Sequence, residues 1–361
     1  MTEQELKGMI SAIAPADAEA AEAAARRQAE LAKPPGSLGR LETISIRLAG
    51  VTGRVKNTLG RCRVAVFAAD NGVVKEGVAV TPQSVTLAQS VNMTKHMTGM
   101  SAIAAFFGNE VRVIDVGIDS QRTPEGILDR KIARGTGNIA EGPAMTREQA
   151  LAAIAAGIEA ADTAKAEGVD ALGIGEMGIG NTTTSAAVLM ALTGAEAKDV
   201  TGLGSGLTDE AFRRKIAVVE RAVRLNAPDP SDPVDVLAKV GGFDLAAMCG
   251  CYLGCAAERI PAVADGFISV VAALCACRLC PTVRDFVFLS HASKEQGCRL
   301  VYRELGLEPM LLLGMRLGEG SGCPLAFQII AAACAVMENM ATFAEGRIDD
   351  GYLEGIRGRD F

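Results

Sequence analysis

Apolar and polar positions change period along the chain. Residues 1–50 follow a helical spacing: Ala18 to Ala32 alternates Ala with Glu, Arg and Gln, strong helix formers with an amphipathic stripe. Lys33-Pro34-Pro35-Gly36-Ser37-Leu38-Gly39 stops that helix, since proline cannot continue it and glycine tolerates the turn, and a second helix starts near Arg40. From residue 61 short runs that are apolar on both faces alternate with longer helical ones. Arg63–Ala69, Val111–Val116, Ala171–Ile174, Ala262–Ala264, Phe286–Leu289 and Met310–Leu313 read as buried parallel strands. Arg147–Glu167, Asp209–Leu225, Asp244–Glu258 and Pro324–Ala344 read as the helices between them. The alternation predicts a doubly wound α/β sheet.

Polar and acidic residues gather at the carboxyl end of each strand. Asp70-Asn71-Gly72 comes after the first, Asp115-Val116-Gly117 closes the second, Gly175-Glu176 follows the third, Asp265-Gly266 the fourth and Ser290-His291 the fifth. The last leads into Gly314-Met315-Arg316-Leu317-Gly318-Glu319. Ligands of open α/β sheets bind outside the carboxyl ends of the strands, so these residues are expected to form one site. There is no internal repeat and no low-complexity linker.

Composition narrows the function. Aromatic residues make up 4% of the chain, Trp is absent and the net charge is −7, which argues against a nucleic-acid binder needing stacking rings and a basic face. The most apolar stretches, 261–280 and 325–337, contain Asp265, Arg278 and Gln328 or are too short to span a bilayer, so no membrane role is expected. The ten cysteines sit in apolar stretches, and the polar, acidic start MTEQELKGMI is not a secretory leader. Reduced thiols in a cytoplasmic protein are expected. Cys249-x-Cys251-x₃-Cys255 and Cys275-x-Cys277-x₂-Cys280 have a metal-like spacing but no nearby His or acidic ligand, so they read as packing residues.

The densest motif is Gly173-Ile174-Gly175-Glu176-Met177-Gly178-Ile179-Gly180-Asn181-Thr182-Thr183-Thr184, running from a strand into an Ala-rich helix. Glycines let backbone N–H groups close on an anion, the helix N-terminus favours negative charge, and Asn181 is a good N-cap. Gly173 to Gly178 also matches the dinucleotide fingerprint G-x-G-x-x-G, with Asp199 as the distal acid but no clear second strand ending there; no lysine follows the last glycine, which excludes a Walker loop. A loop that merely turns the chain is the bland alternative, and a phosphate cradle the preferred reading. Gly202-Leu203-Gly204-Ser205-Gly206-Leu207 precedes a helix carrying Lys215, a counter-charge for the same anion, or else is a plain helix-capping turn. Glu319 lies between glycines ahead of an apolar helix, where a carboxylate against an apolar pocket gains the raised pKa of a base. The alternative is an exposed loop glutamate at a helix N-terminus. His96 reads as structural, whereas His291 follows a strand and is placed to line the site.

Together these loops resemble the nicotinate-nucleotide–dimethylbenzimidazole phosphoribosyltransferase family. The matching stretches are KPPGSLGRLE (33–42), AADNGVVKEGVAVTPQSVT (68–86), RKIARGTGNI (130–139), GIGEMGIGNTTTSAA (173–187), TGLGSGL (201–207), DGFIS (265–269), SHASKEQG (290–297) and LGMRLGEGSG (313–322). The resemblance runs in order over nearly the whole chain. It implies a Rossmann-like parallel sheet flanked by helices, residues 61–345, with a smaller helical domain formed partly by residues 1–60, a tail at 346–361, and a homodimer; the Pro34-Pro35-Gly36 loop is expected near the dimer interface. It implies transfer of the phosphoribosyl group of nicotinate mononucleotide to dimethylbenzimidazole or a related base, giving α-ribazole 5′-phosphate and nicotinate for cobalamin, with no metal or cofactor required. By the same resemblance Glu319 is the catalytic base and Glu176 a second acid near the ribose. Thr81 and Gln89 contact the aromatic base. Gly178, Gly180, Asn181, Thr182, Gly204, Ser205, Lys215, Asp265, Ser293, Arg316, Leu317, Gly318 and Gly320 complete the substrate site. One departure stands out: Asn71 occupies a position where the family often has histidine, and it is expected to shape the turn. A non-catalytic nucleotide sensor and a dinucleotide-dependent oxidoreductase are the competing functions; retention of both Glu319 and Glu176 counts against the first.

Overall fold

The computed structural model describes residues 1–204 and 206–355. Six parallel strands form one sheet: β1 (Cys62–Ala69), β2 (Glu110–Gly117), β3 (Leu128–Asp129), β4 (Ala171–Met177), β5 (Ala262–Ala264) and β6 (Val287–Leu289), in the order β3-β2-β1-β4-β5-β6. β1 and β4 are buried along their full lengths, as expected of central strands with apolar residues on both faces. The order reverses direction between β1 and β4, so the ends of these two strands bracket the topological switch point.

Two sequence expectations need correction. Met310–Leu313 is not a sixth core strand: only Leu311 bridges to His291, while Leu312 and Leu313 are exposed, so this apolar run lies along the end of β6 and turns outward. The outermost strand is instead the two-residue β3, whose Leu128 and Asp129 pair with Ile114 and Asp115. Phe286 ends a 3₁₀ turn before β6 rather than opening the strand.

The helices Phe243–Ala257 and Phe267–Leu279 are buried through most of their length and pack against the sheet, sharing one apolar core with it. Residues near the two ends of the chain meet. The helices Ala18–Glu30 and Arg40–Thr52 pack on Cys323–Asn339 around a second, small core of Ala24, Leu31, Ala49 and Met337, and Leu31 bridges to Thr342. No helix among the described residues is long and apolar enough to cross a membrane.

Candidate active site

A cavity of about 200 Å³ opens at the carboxyl edge of the sheet beside the switch point. Its wall includes Thr81, Gln89, Glu176, Gly178, Gly180, Asn181, Thr182, Gly204, Lys215, Asp265, Ser293, Arg316, Leu317, Gly318 and Glu319. Gly320 is not on the wall; it lies behind it, against Val64 and Gly175. Ser205 lies outside the described residues.

One end of the cavity is acidic. Glu176, the penultimate residue of β4, is 7% exposed, and burial pushes its pKa up to about 8 despite two donors. The Asn181 amide donates to Oε2 (2.5 Å) and the Glu319 N–H to Oε1 (3.1 Å). Asp244 and Asp265 add like-charge repulsion in the same direction. Asp244 is itself raised to about 6 by burial, although it also accepts from Asn181 (3.0 Å). The Glu319 carboxylate points at the start of helix Gly99–Phe106, where the Met100 N–H approaches at 3.5 Å; a helix N-terminus lowers a carboxylate's pKa, but burial is the larger effect and the net shift is upward.

The segment carrying Glu319 is held from both sides. Asp265, at the end of β5, accepts the N–H groups of Gly320 (3.1 Å) and Gly322 (2.7 Å). Gly318, Glu319 and Gly320 all have positive φ, at 82°, 64° and 87°, a run that L side chains resist. Only Glu319 among the three keeps a side chain there, and its burial rules out the exposed-loop reading.

The other end is cationic. Lys215 reaches in from helix Asp209–Asn226, is 1% exposed, and donates to Thr182 Oγ1 (2.8 Å) and the Gly202 carbonyl (3.1 Å). Burial lowers its pKa to about 8. Arg316 donates to the Gly204 carbonyl (3.1 Å), tying the two loops together. The second glycine loop is therefore more than a capping turn.

The first glycine motif divides its labour. Gly173 and Gly175 lie inside β4, and a Cβ on Gly175 would come within 2.6 Å of the Glu319 carbonyl oxygen. They allow the Glu319 segment and Cys323 to press against the strand. This removes the dinucleotide reading, whose first glycines must face a pyrophosphate after the strand. Asn181 is not the N-cap; Gly180 is, and the Asn181 side chain is spent on Glu176 and Asp244.

Asp70 and Asp115 do not join the site. Asp70 accepts the Asp119 N–H, and Asp115 accepts from Gly117, Ile118 and Thr123. Asn71 is fully buried, approaches Asp244 at 3.5 Å and accepts from Thr184, supporting the acidic end from behind. His96 is an exposed turn residue, not a core one. The sequence reading missed Asp244, which sits in the first turn of a helix with no motif around it, and the apolar wall residues Val78, Val85, Leu203 and Phe267. The cysteine clusters are interior free thiols, with burial pushing Cys275 and Cys277 up to about 12.

An α/β sheet with this order, its buried acids and buried lysine on one cavity at the carboxyl edge, has the architecture of a small-molecule-binding α/β protein. A family model described as phosphoribosyltransferase matches residues 13–348. A nicotinate-nucleotide–dimethylbenzimidazole phosphoribosyltransferase of Clostridium perfringens is 53% identical over 92% of this chain and 92% of its own. One of Geobacter metallireducens is 47% identical over 95% and 97%. The crystal structure of CobT from Thermus thermophilus superposes with a TM-score of 0.88 at 43% identity, over 92% of this chain and 99% of that one. The chain belongs to the nicotinate-nucleotide–dimethylbenzimidazole phosphoribosyltransferase family.

Proposed function

We propose that this protein transfers the phosphoribosyl group of nicotinate mononucleotide to 5,6-dimethylbenzimidazole or a related base, releasing nicotinate and α-ribazole 5′-phosphate in cobalamin biosynthesis. The observation that carries the reading is the single cavity with Glu319 and Glu176 buried at one end and Lys215 buried at the other.

The chemistry suits that division. Nicotinate departs from a cationic pyridinium: as its bond to C1′ breaks, the electron pair neutralises the ring, so acid assistance is hardly needed. The incoming azole is the harder partner, because one ring nitrogen must lose its proton while the other attacks C1′. Glu319, its basicity increased by burial, takes that proton. Attack opposite the leaving nicotinate converts a β-linkage to an α-linkage. Glu176, protonated below about pH 8 in the unliganded site, releases its proton to solvent as the cationic pyridinium nucleotide binds, and its carboxylate then stabilises an oxocarbenium-like transition state. Lys215, Thr182 and the loop around Gly204 hold the 5′-phosphate. Thr81 and Gln89, with Leu317, form the berth for the aromatic base.

The protein works in the cytoplasm as a homodimer. Leu317 on the cavity wall, Met97 just before helix Gly99–Phe106 and Phe106 at its end are all exposed apolar residues, which supports an interface along this helix. Light scattering of the native chain and of a Phe106→Asp variant tests the dimer.

The deciding assay follows product formation from nicotinate mononucleotide and dimethylbenzimidazole with the native chain and Glu319→Gln. α-Ribazole phosphate from the native chain and a large loss in the variant support both reaction and base. Equal turnover would discard Glu319 as the base. An inactive native chain, also silent with adenine and phenols, would discard the reaction.

A further inference from the structure

His291 presents a hydrogen-bonding atom that nothing in the mechanism so far uses. It follows β6, is 1% exposed and lines the cavity, yet its Nε2 has no hydrogen-bond partner among the described residues. A buried, unmatched ring nitrogen costs free energy unless a ligand or water completes it.

The surrounding bonds decide which kind of partner it wants. The Ser290 hydroxyl lies 3.3 Å from the Asp265 carbonyl and 3.0 Å from His291 Nδ1, within reach of both. The Ser290 oxygen keeps a lone pair that matches the tautomer with its proton on Nδ1. The Asp265 carboxylate, 3.6 Å from Nδ1, favours the same tautomer. In that tautomer the ring offers a lone pair at Nε2, a site for a donor.

Position narrows the donor further. Asp265 connects His291 to Gly320, next to Glu319, while a Cβ on neighbouring Gly266 would stand 3.8 Å from Nε2 and 3.7 Å from Ser293 Oγ. Beyond Ser293, Glu295 reaches Gly202, whose carbonyl binds Lys215. His291 thus lies along the wall between the acidic and cationic ends. A phosphate, a carboxylate or a fully substituted ring nitrogen has no proton to give. In a nucleotide spanning these ends, the ribose hydroxyls are the donors found between phosphate and C1′.

We infer that His291 is a specificity-determining residue whose Nε2 accepts a hydrogen bond from a ribose hydroxyl of the phosphoribosyl donor. The inference rests on the proposed reaction. It makes His291 the group that distinguishes a ribonucleotide from its deoxy counterpart, with Ser290 and Asp265 setting its tautomer.

The test compares kcat/KM for nicotinate mononucleotide with its 2′-deoxy and 3′-deoxy analogues in the native chain, His291→Phe and His291→Gln, with thermal melting to confirm folding. The native chain is expected to disfavour one deoxy analogue by about tenfold or more. His291→Phe, which keeps a flat ring without an acceptor, loses that preference. His291→Gln, whose amide oxygen can accept, recovers part of it. Should His291→Phe fail to fold, His291→Leu, which also lacks an acceptor, carries the same comparison with the Gln variant. Unchanged discrimination in folded His291 variants, or none in the native chain, overturns the inference and leaves the reaction standing. A native chain that neither binds nor consumes nicotinate mononucleotide overturns both.

Discussion

The two edges of the sheet use the same residue types to opposite ends. At the amino edge, Arg63 on β1 is buried and pairs with Glu110 and Glu167, joined by Arg61 and Arg112. Hydrogen bonds from Arg112 and then Arg63 bring Glu167 down to about 2. At the carboxyl edge, Glu176, Asp244, Asp265 and Glu319 lie close together, all raised by burial, and the hydrogen-bond donors they receive are uncharged amides and the Thr98 hydroxyl. A glutamate surrounded by guanidinium groups is an anchor with its charge fixed. A glutamate buried among other acids is left able to take up or release a proton near neutrality, at a cost in stability.

Glu319→Gln sharpens this contrast most. It should lower kcat by about 10² to 10⁴, the span of general-base catalysis, while circular dichroism stays native. Lys215→Met should come next, raising KM for the nucleotide about 10- to 100-fold in steady-state assays, as expected when a charge-assisted phosphate contact is lost. At the opposite edge, Arg63→Leu should leave kcat/KM unchanged and cost about 1–3 kcal/mol in chemical denaturation. That is less than a fully buried pair would cost, because its carboxylate partners remain about one-third exposed. Lost activity in a folded Arg63→Leu protein would break the comparison.

The smallest effect is a pH slope. Below about 4.5 Glu176 is protonated in both folded and unfolded chains; between there and about 8 the unfolded chain releases the proton and the folded chain keeps it. The folded state then binds more protons, so stability falls as pH rises through this window and levels off above about 8. Glu176→Gln should flatten that part of the slope by on the order of 1 kcal/mol per pH unit, read from denaturation midpoints at pH 5 and pH 8. A slope unchanged by the substitution would mean that Glu176 is not held protonated.

The central strands were legible because burial on both faces writes itself as an apolar run, as in β1 and β4. That rule misled at Met310–Leu313, where Leu312 and Leu313 are apolar but exposed, and it had nothing to detect in the two-residue β3. The motif residues around the cavity were legible because glycine and acid coincide at strand ends, and the resemblance assigned their expected roles. Asp244 was not, since its meeting with Asn181 and Glu176 depends on tertiary packing across 63 residues of chain. Spacing could not separate glycines that face a ligand from those that face protein; Gly175 needed the position of the Glu319 carbonyl to be understood.

The positive φ of Glu319 has an evolutionary edge. At that backbone conformation glycine is the more comfortable residue, by about 1 kcal/mol, and it would also remove a buried acid. A mutant library selected for heat tolerance alone should therefore drift toward glycine at position 319 and yield hardy, inert protein. Selection for growth on the product would reject the same change at once. Position 319 is a place where durability and usefulness pull in opposite directions, and the residue found there records which one prevailed.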